Sequence, residues 1–201
     1  MTRKTAFCFD FDGTLTRREL LPLIAAEVGL YEEIMALTQA TIQGVLPFES
    51  SFKLRCKLLA DVPVSRVRDI AAKVPLFEGI AAFIRSRPED CFIVTGNLDV
   101  WIETAAKKVC PNVFASRALV KNDRLIAPES VLDKSTAISK VRESHDQIIA
   151  IGDGLGDVAM MEAADMAIAF GGLHSPVETL VQISDVVCPG EESLLNVLEH
   201  Y

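Results

Sequence analysis

Apolar positions along this chain fall into two alternating rhythms. Short unbroken runs, Phe7-Cys8-Phe9, Cys91-Phe92-Ile93-Val94, Ile148-Ile149-Ala150-Ile151, Met166-Ala167-Ile168-Ala169-Phe170 and Val186-Val187-Cys188, read as buried strands. Between them the spacing turns helical. Helices are expected over 80–87, through Val100, Ile102 and Ala105, from about Lys134 with Asp133 as cap, around Met160 and Met161, opening at Ser175-Pro176, and from Glu192 to His200. Asn97 or Asp99 is the expected cap of the second of these. Residues Ala118 to Ile126 have hairpin spacing around a polar turn. Such alternation implies an α/β fold, a Rossmann-like parallel sheet with helices on both faces.

One segment keeps only the helical rhythm. Between residues 17 and 75, Leu20, Leu21, Leu23, Ile24 and Val28, then Ile34, Leu37 and Ile42, recur at helical spacing. Leu54, Leu58 and Leu59, followed by Val67, Ile70, Ala71 and Val74, continue the pattern. Gly29, Gly44-Val45-Leu46-Pro47 and Asp61-Val62-Pro63 punctuate it as turns. The expectation is an α/β core domain from 1–16 and 76–201, with a small helical bundle of residues 17–75 inserted after the first strand.

Composition narrows the picture. At 201 residues, half of them hydrophobic, the chain can bury one good core and a small insert. A net charge of −8 gives no electrostatic footprint for nucleic acid or an anionic membrane, though local cations still allow a phosphate site. The five cysteines form no C-x-x-C pair, and Cys8, Cys91 and Cys188 sit in strand-like runs as small hydrophobes. Met1 to Ala6 carries basic charge, but the apolar run behind it is short and meets two aspartates, unlike a secretory leader. No stretch has the length and apolarity of a membrane span, so a cytoplasmic protein is expected.

The chemistry lies where strand-like runs end. Asp10 and Asp12 follow the first run one residue apart, so they leave the strand on the same side. Thr95-Gly96-Asn97 follows the second, Lys134 opens a helix, and Gly152-Asp153-Gly154-Leu155-Gly156-Asp157 follows the run at 148–151. A parallel sheet gathers such ends along one edge, where ligands bind. The set suits phosphoryl transfer. An ionised aspartate can form an aspartyl-phosphate that water later cleaves. Asp10 and Asp153 suit Mg²⁺, which needs few carboxylate oxygens. The Thr95 hydroxyl and Gly96 amide can donate to phosphoryl oxygens, and Lys134 supplies positive charge where negative charge spreads.

This pattern resembles the haloacid dehalogenase superfamily of phosphohydrolases across nearly the whole chain. The likeness rests on Asp10-Phe-Asp-Gly-Thr, Thr95, Lys134 and Gly152-Asp-Gly-x-x-Asp157, in that order. It implies Asp10 as nucleophile and Asp12 as general acid, then base. It also implies a magnesium site of Asp10, the Asp12 carbonyl and Asp153, with Asp157 ordering metal-bound water or holding Lys134. The helical insert would be the cap. The phosphoserine phosphatase branch is the nearer match: Glu19 stands at the spacing of its cap glutamate, and Phe48-Glu49-Ser-Ser-Phe-Lys-Leu-Arg55 resembles its arginine segment. That resemblance implies a small phosphorylated metabolite as substrate, Glu19 reading an ammonium and Arg55 a carboxylate. Thr95-Gly96-Asn97-Leu98 stands where that branch has Ser-Gly-Gly-Phe, and Gly156 where it has Asn.

Other readings use the same groups differently. A phosphotransferase would pass the phosphoryl group to an acceptor other than water, and a phospho-receiver or binding module would keep it or never take it. His145, His174 and His200 are expected to be surface or structural, and Trp101 to pack in a helix.

Overall fold

A computed structural model describes residues 3–42 and 45–201. Strands β1 (Thr5–Phe9), β2 (Cys91–Leu98), β3 (Val113–Lys121), β4 (Arg124–Ser130), β5 (Gln147–Gly152), β6 (Met166–Phe170) and β7 (Val186–Cys188) form one sheet ordered β4-β3-β2-β1-β5-β6-β7. Every pairing is parallel except the β3–β4 hairpin. The sheet grows from β1 to β4 on one side and from β5 to β7 on the other, so the chain order switches between β1 and β5. Phe9 lies opposite Ile93 of β2 and Ile151 of β5. Asp10, Val94-Thr95 and Gly152-Asp153 therefore emerge side by side at the switch point, where α/β sheets bind ligands.

Alternation along β1 explains its unbroken apolar sequence. Phe7 and Phe9 enter one buried cluster, with Ile80 and Ile84 of helix α5 (Glu78–Ser86) and Trp101 and Ile102 of α6 (Asp99–Lys107). Ala6 and Cys8 enter the other, with Ala137, Ile138 and Val141 of α7 (Lys134–Val141), Met160 and Met161 of α8 (Val158–Ala163) and Leu180 of α9 (Glu178–Ile183). A strand buried on both faces needs apolar residues at every position. The closing helix α10 (Glu191–Leu198) buries Leu194 and Leu198. All five cysteines are buried free thiols. No helix among the described residues is long and apolar enough to cross a membrane.

Four helices, α1 (Leu20–Val28), α2 (Tyr31–Ile42), α3 (Phe48–Leu58) and α4 (Val64–Ala71), lie between β1 and α5. The two linkers to this segment leave side by side: Thr16 bridges Leu76, the Arg17 amide donates to the Pro75 carbonyl at 2.8 Å, and that of Phe77 to Leu15 at 3.0 Å. Gly29 ends α1 in the left-handed region at φ 74°, which suits a residue without Cβ. The sheet also reaches up to meet α4. Asn122 and Asp123 turn the β3–β4 hairpin with φ of 50° and 61°. The Asp123 carboxylate then accepts from the Ser65 amide at 2.9 Å and the Ser65 hydroxyl at 2.6 Å, satisfying donors at the start of α4.

Three boundaries differ from the sequence expectation. Strand β2 runs on to Leu98, with a register shift between Thr95 and Leu98, so Thr95-Gly96-Asn97 lie within it and do not follow it. Neither Asn97 nor Asp99 caps α6: the cap position is Leu98, because β2 runs on through Asn97 and Asp99 is already helical. Helix α9 begins at Glu178, leaving Ser175-Pro176 in a loop that packs back on Gly171. The turn expected at Gly44 lies outside the described residues. Asp133 does cap α7, accepting from the Ser135 amide at 3.0 Å.

Candidate active site

Lys134 is the centre of the polar cluster at the switch point. It starts α7, is buried, and donates to Asp10 Oδ1 at 2.5 Å and Asp157 Oδ1 at 2.6 Å. Burial opposes its charge, but the two carboxylates outweigh that and hold its pKa above the ordinary lysine value. Asp157 turns its other oxygen back on the chain, accepting from the Asp153 and Gly154 amides at 3.1 and 3.0 Å. A Cβ on Gly152 would collide with the Asp157 side chain, which explains the glycine there. Asp157 thus serves as an anchor for the lysine and for the loop after β5.

Asp12 is held from two elements. Its Oδ1 accepts from the Leu20 amide at the start of α1 at 3.3 Å, and its Oδ2 from the Asn97 amide at 2.9 Å. Burial, then the charges of Glu19 and Asp10, push its pKa well above the usual carboxylate range. Thr95 is buried, its Oγ accepting from the Asn97 backbone at 3.1 Å, and the Gly96 carbonyl takes the Ser116 hydroxyl at 2.7 Å. Asn97, Thr95 and Gly96 are therefore gathered with the first-strand aspartates.

The remaining carboxylates fit a hard divalent cation. Asp10, Asp153 and Asp157 each offer an oxygen within 4.8 Å of the others. Burial, followed by repulsion from Asp157, raises Asp10 to about 7 even though Lys134 works against it. Burial with the charges of Asp157 and Asp10 also lifts Asp153 well above the ordinary range. One ammonium does not balance this concentration of buried carboxylates, and oxygen-only donors suit Mg²⁺-like ions. Because Asp157 commits both oxygens within the protein, Asp10 and Asp153 are the better donors. Thr14 steadies Asp153 through its hydroxyl at 3.1 Å, and a Cβ on Gly13 would strike that same carboxylate.

A cavity of about 380 Å³ opens over these groups and is closed on its far side by α1, α2 and α3. Glu19, Phe48 and Arg55 all line it, as do Gly96 and Asn97. Arg55 is buried, with Nε donating to the Ser51 carbonyl at 3.4 Å, and burial lowers its pKa. Phe48 stacks on Phe52 with ring centroids 5.9 Å apart and reaches over Gly96, where a Cβ would stand 3.0 Å from its ring.

His174 is exposed, as expected of a surface residue, yet its ring also reaches the carboxylates of the site. Its Nε2 lies 3.3 Å from Asp153 Oδ2 and 3.6 Å from Glu19 Oε1, on the cavity wall. Glu19 raises its pKa as a hydrogen-bond partner, against partial burial. No motif spacing marks this residue. The signal that could have found it is positional: its loop follows β6 at the same carboxyl edge as the other strand ends. His145 is structural, buried between Ser144 and Asp90, and Trp101 is buried in α6.

A family model described as haloacid dehalogenase-like hydrolase matches residues 7–162. The phosphoserine phosphatase of Methanocaldococcus jannaschii is 30% identical, over 84% of this chain and 86% of its own. That of Halobacterium salinarum is also 30% identical, over 82% and 84% respectively. Among solved structures, a phospho-aspartyl intermediate analogue of phosphoserine phosphatase superposes with a TM-score of 0.82 at 26% identity, covering 100% of this chain and 99% of that one. A substrate-bound phosphoserine phosphatase complex gives 0.80 at the same identity and coverage.

Proposed function

The chain belongs to the haloacid dehalogenase-like hydrolases, and on that premise we propose that it is a Mg²⁺-dependent phosphatase of small phosphomonoesters. Phosphoserine, named in its relatives, is the first substrate to test. In this reading residues 17–75 are a cap over a core made of 1–16 and 76–201, working in the cytoplasm on a small phosphorylated metabolite.

The observation that carries the proposal is one buried ammonium bridging Asp10 and Asp157, beside a second carboxylate, Asp12, whose environment is different. Two carboxylates with separated environments can divide nucleophilic and acid–base roles. An Asp10 oxygen attacks phosphorus, the ester oxygen leaves, and Asp12 delivers the proton that the departing alkoxide takes. The raised Asp12 pKa keeps that proton available near neutral pH. Asp12 then accepts a proton from water as the water oxygen attacks the aspartyl-phosphate, releasing inorganic phosphate and restoring Asp10. Lys134 holds Asp10 in place and meets charge on the phosphoryl oxygens; the Thr95 hydroxyl and Gly96 amide supply further donors. Asp10, the Asp12 carbonyl and Asp153 would hold the cation, which when bound screens the repulsion between nucleophile and phosphate. At the cap end, Arg55 is available to a substrate carboxylate and Glu19 to an ammonium.

Phosphate release from O-phospho-L-serine and p-nitrophenyl phosphate, with and without Mg²⁺, tests the proposal against Asp10→Asn. Metal-dependent release that falls by about a thousandfold or more in the variant is expected. Equal rates from the two proteins, or no release from either ester, would overturn it.

A further inference from the structure

An aspartate that must hand a proton to one particular oxygen needs a fixed carboxyl plane, and its own terminal torsion does not supply one, being broad and two-fold. Asp12 has little help from the cations of the site. Lys134 is shared between Asp10 and Asp157. Among the described residues one side chain does hold Asp12: Asn97 Nδ2 donates to Asp12 Oδ2 at 2.9 Å, across 85 positions of sequence. The other oxygen takes the Leu20 amide at 3.3 Å, so the two oxygens are gripped from different elements.

Asn97 is itself fixed. It is buried, its backbone N–H donates to Thr95 Oγ at 3.1 Å, and the preceding carbonyl, of Gly96, takes the Ser116 hydroxyl of β3 at 2.7 Å. The register shift between Thr95 and Leu98 spans this residue, and such irregularities re-aim side chains beside active sites. Thr95 Oγ accepts from Asn97, which leaves the Thr95 hydroxyl proton for another acceptor.

We propose that Asn97 is a positioning residue for proton delivery, holding the Asp12 carboxyl so that its proton is directed at the departing ester oxygen. This rests on the phosphatase reading above and deepens it. In the first step the Asp10 oxygen bonds to phosphorus as the bond from phosphorus to the alcohol oxygen breaks. The Asp12 proton passes to that oxygen, and Asp12 is left as a carboxylate. An alkoxide is too basic to leave without the proton, whereas p-nitrophenolate spreads its charge over the ring and leaves without it. A misdirected Asp12 is therefore felt by alkyl esters and much less by the aryl ester.

The test is kcat/KM, which reports formation of the phosphoenzyme, for O-phospho-L-serine, ethyl phosphate and p-nitrophenyl phosphate. Asn97→Ala is compared with Asn97→Leu, which keeps nearly the same shape without a donor. Both variants should lower the two alkyl esters about tenfold and the aryl ester about twofold, so the aryl-to-alkyl ratio rises about fivefold. Equal losses on all three esters would overturn the inference, since a structural role spares none of them. A loss confined to phosphoserine, or a ratio restored in Asn97→Leu, would also overturn it, in favour of amino-acid recognition or of packing. Wild-type release from the aryl ester alone would overturn it too and leave phosphatase activity standing. Release from no ester by the wild type would instead overturn the phosphatase reading, and the inference with it.

Discussion

The cavity has two walls built on opposite principles. On the sheet edge, Asp10, Asp157 and Lys134 are buried and joined at 2.5 and 2.6 Å, with Asp157 tied again to two backbone amides. On the helical side, Arg55 donates to a backbone carbonyl at 3.4 Å and stands over the Phe48 ring at 5.9 Å, Glu19 lies 3.6 Å from His174, and most of the surface is apolar. The difference separates two tasks. Charge stabilisation at a reacting phosphorus works through donors already in place and costs nothing in reorganisation when the reaction occurs. Recognition of the rest of a molecule can tolerate looser contacts, because each apolar contact adds a little and none is decisive.

If that division is right, substitutions on the sheet edge should dwarf those on the helices. Lys134→Ala should lower kcat by about a thousandfold and destabilise the fold by about 3–5 kcal/mol, because Asp10 and Asp157 lose their shared counter-charge. Chemical denaturation and steady-state kinetics read the two effects; a loss of less than about tenfold in kcat would break the comparison.

The same wall should govern stability against pH in protein stripped of metal. Asp10 is raised to about 7 from the ordinary aspartate value of 3.8, so between these the folded state keeps a proton that the unfolded chain has released. The stabilising contribution is complete below the lower value and is lost as pH rises through the upper one. Thermal melts in chelator should therefore show Tm falling from about pH 4 to about pH 7, with Asp12 and Asp153 acting in the same direction. Added Mg²⁺ should flatten the fall; an identical slope with and without Mg²⁺ would remove the metal from this site.

Asn97 joins the two walls' chemistry at Asp12. Its amide lowers the Asp12 pKa against the larger effects of burial and neighbouring charge. Asn97→Ala should cost about tenfold in kcat and move the alkaline limb of the kcat profile upward, because the proton is then held more tightly. An unshifted limb would make Asn97 a packing residue. The smallest effect is expected at His174. His174→Ala removes the imidazole standing 3.6 Å from Glu19 and should lower the KM for phosphoserine by about threefold, with kcat little changed. An unchanged KM would detach His174 from recognition.

Much of this was legible before any coordinates. The apolar runs ending in Asp10, in Thr95 and in Asp153 announced parallel strands with polar ends, because a strand buried on both faces leaves only its terminus for chemistry. Less legible was the direction of individual side chains. Asn97 lies inside β2, one residue short of the α6 cap position, and its side-chain amide donates to Asp12 at 2.9 Å. His174 had no spacing to betray it, since its partners Glu19 and Asp153 are far away in sequence and meet it only once β6 and α1 are packed.

What the chain itself determined, then, was the fold class, the order of its elements and the set of groups able to handle a phosphoryl ester, all of which follow from local periodicity and residue chemistry. Only the tertiary structure decided that Lys134 bridges Asp10 and Asp157, that Asn97 serves Asp12, and that Leu21, Met35 and Phe48 face the same cavity as Arg55. Those pairings depend on sheet register and helix packing, which bring distant segments within ångströms of each other and are written in no single stretch of sequence.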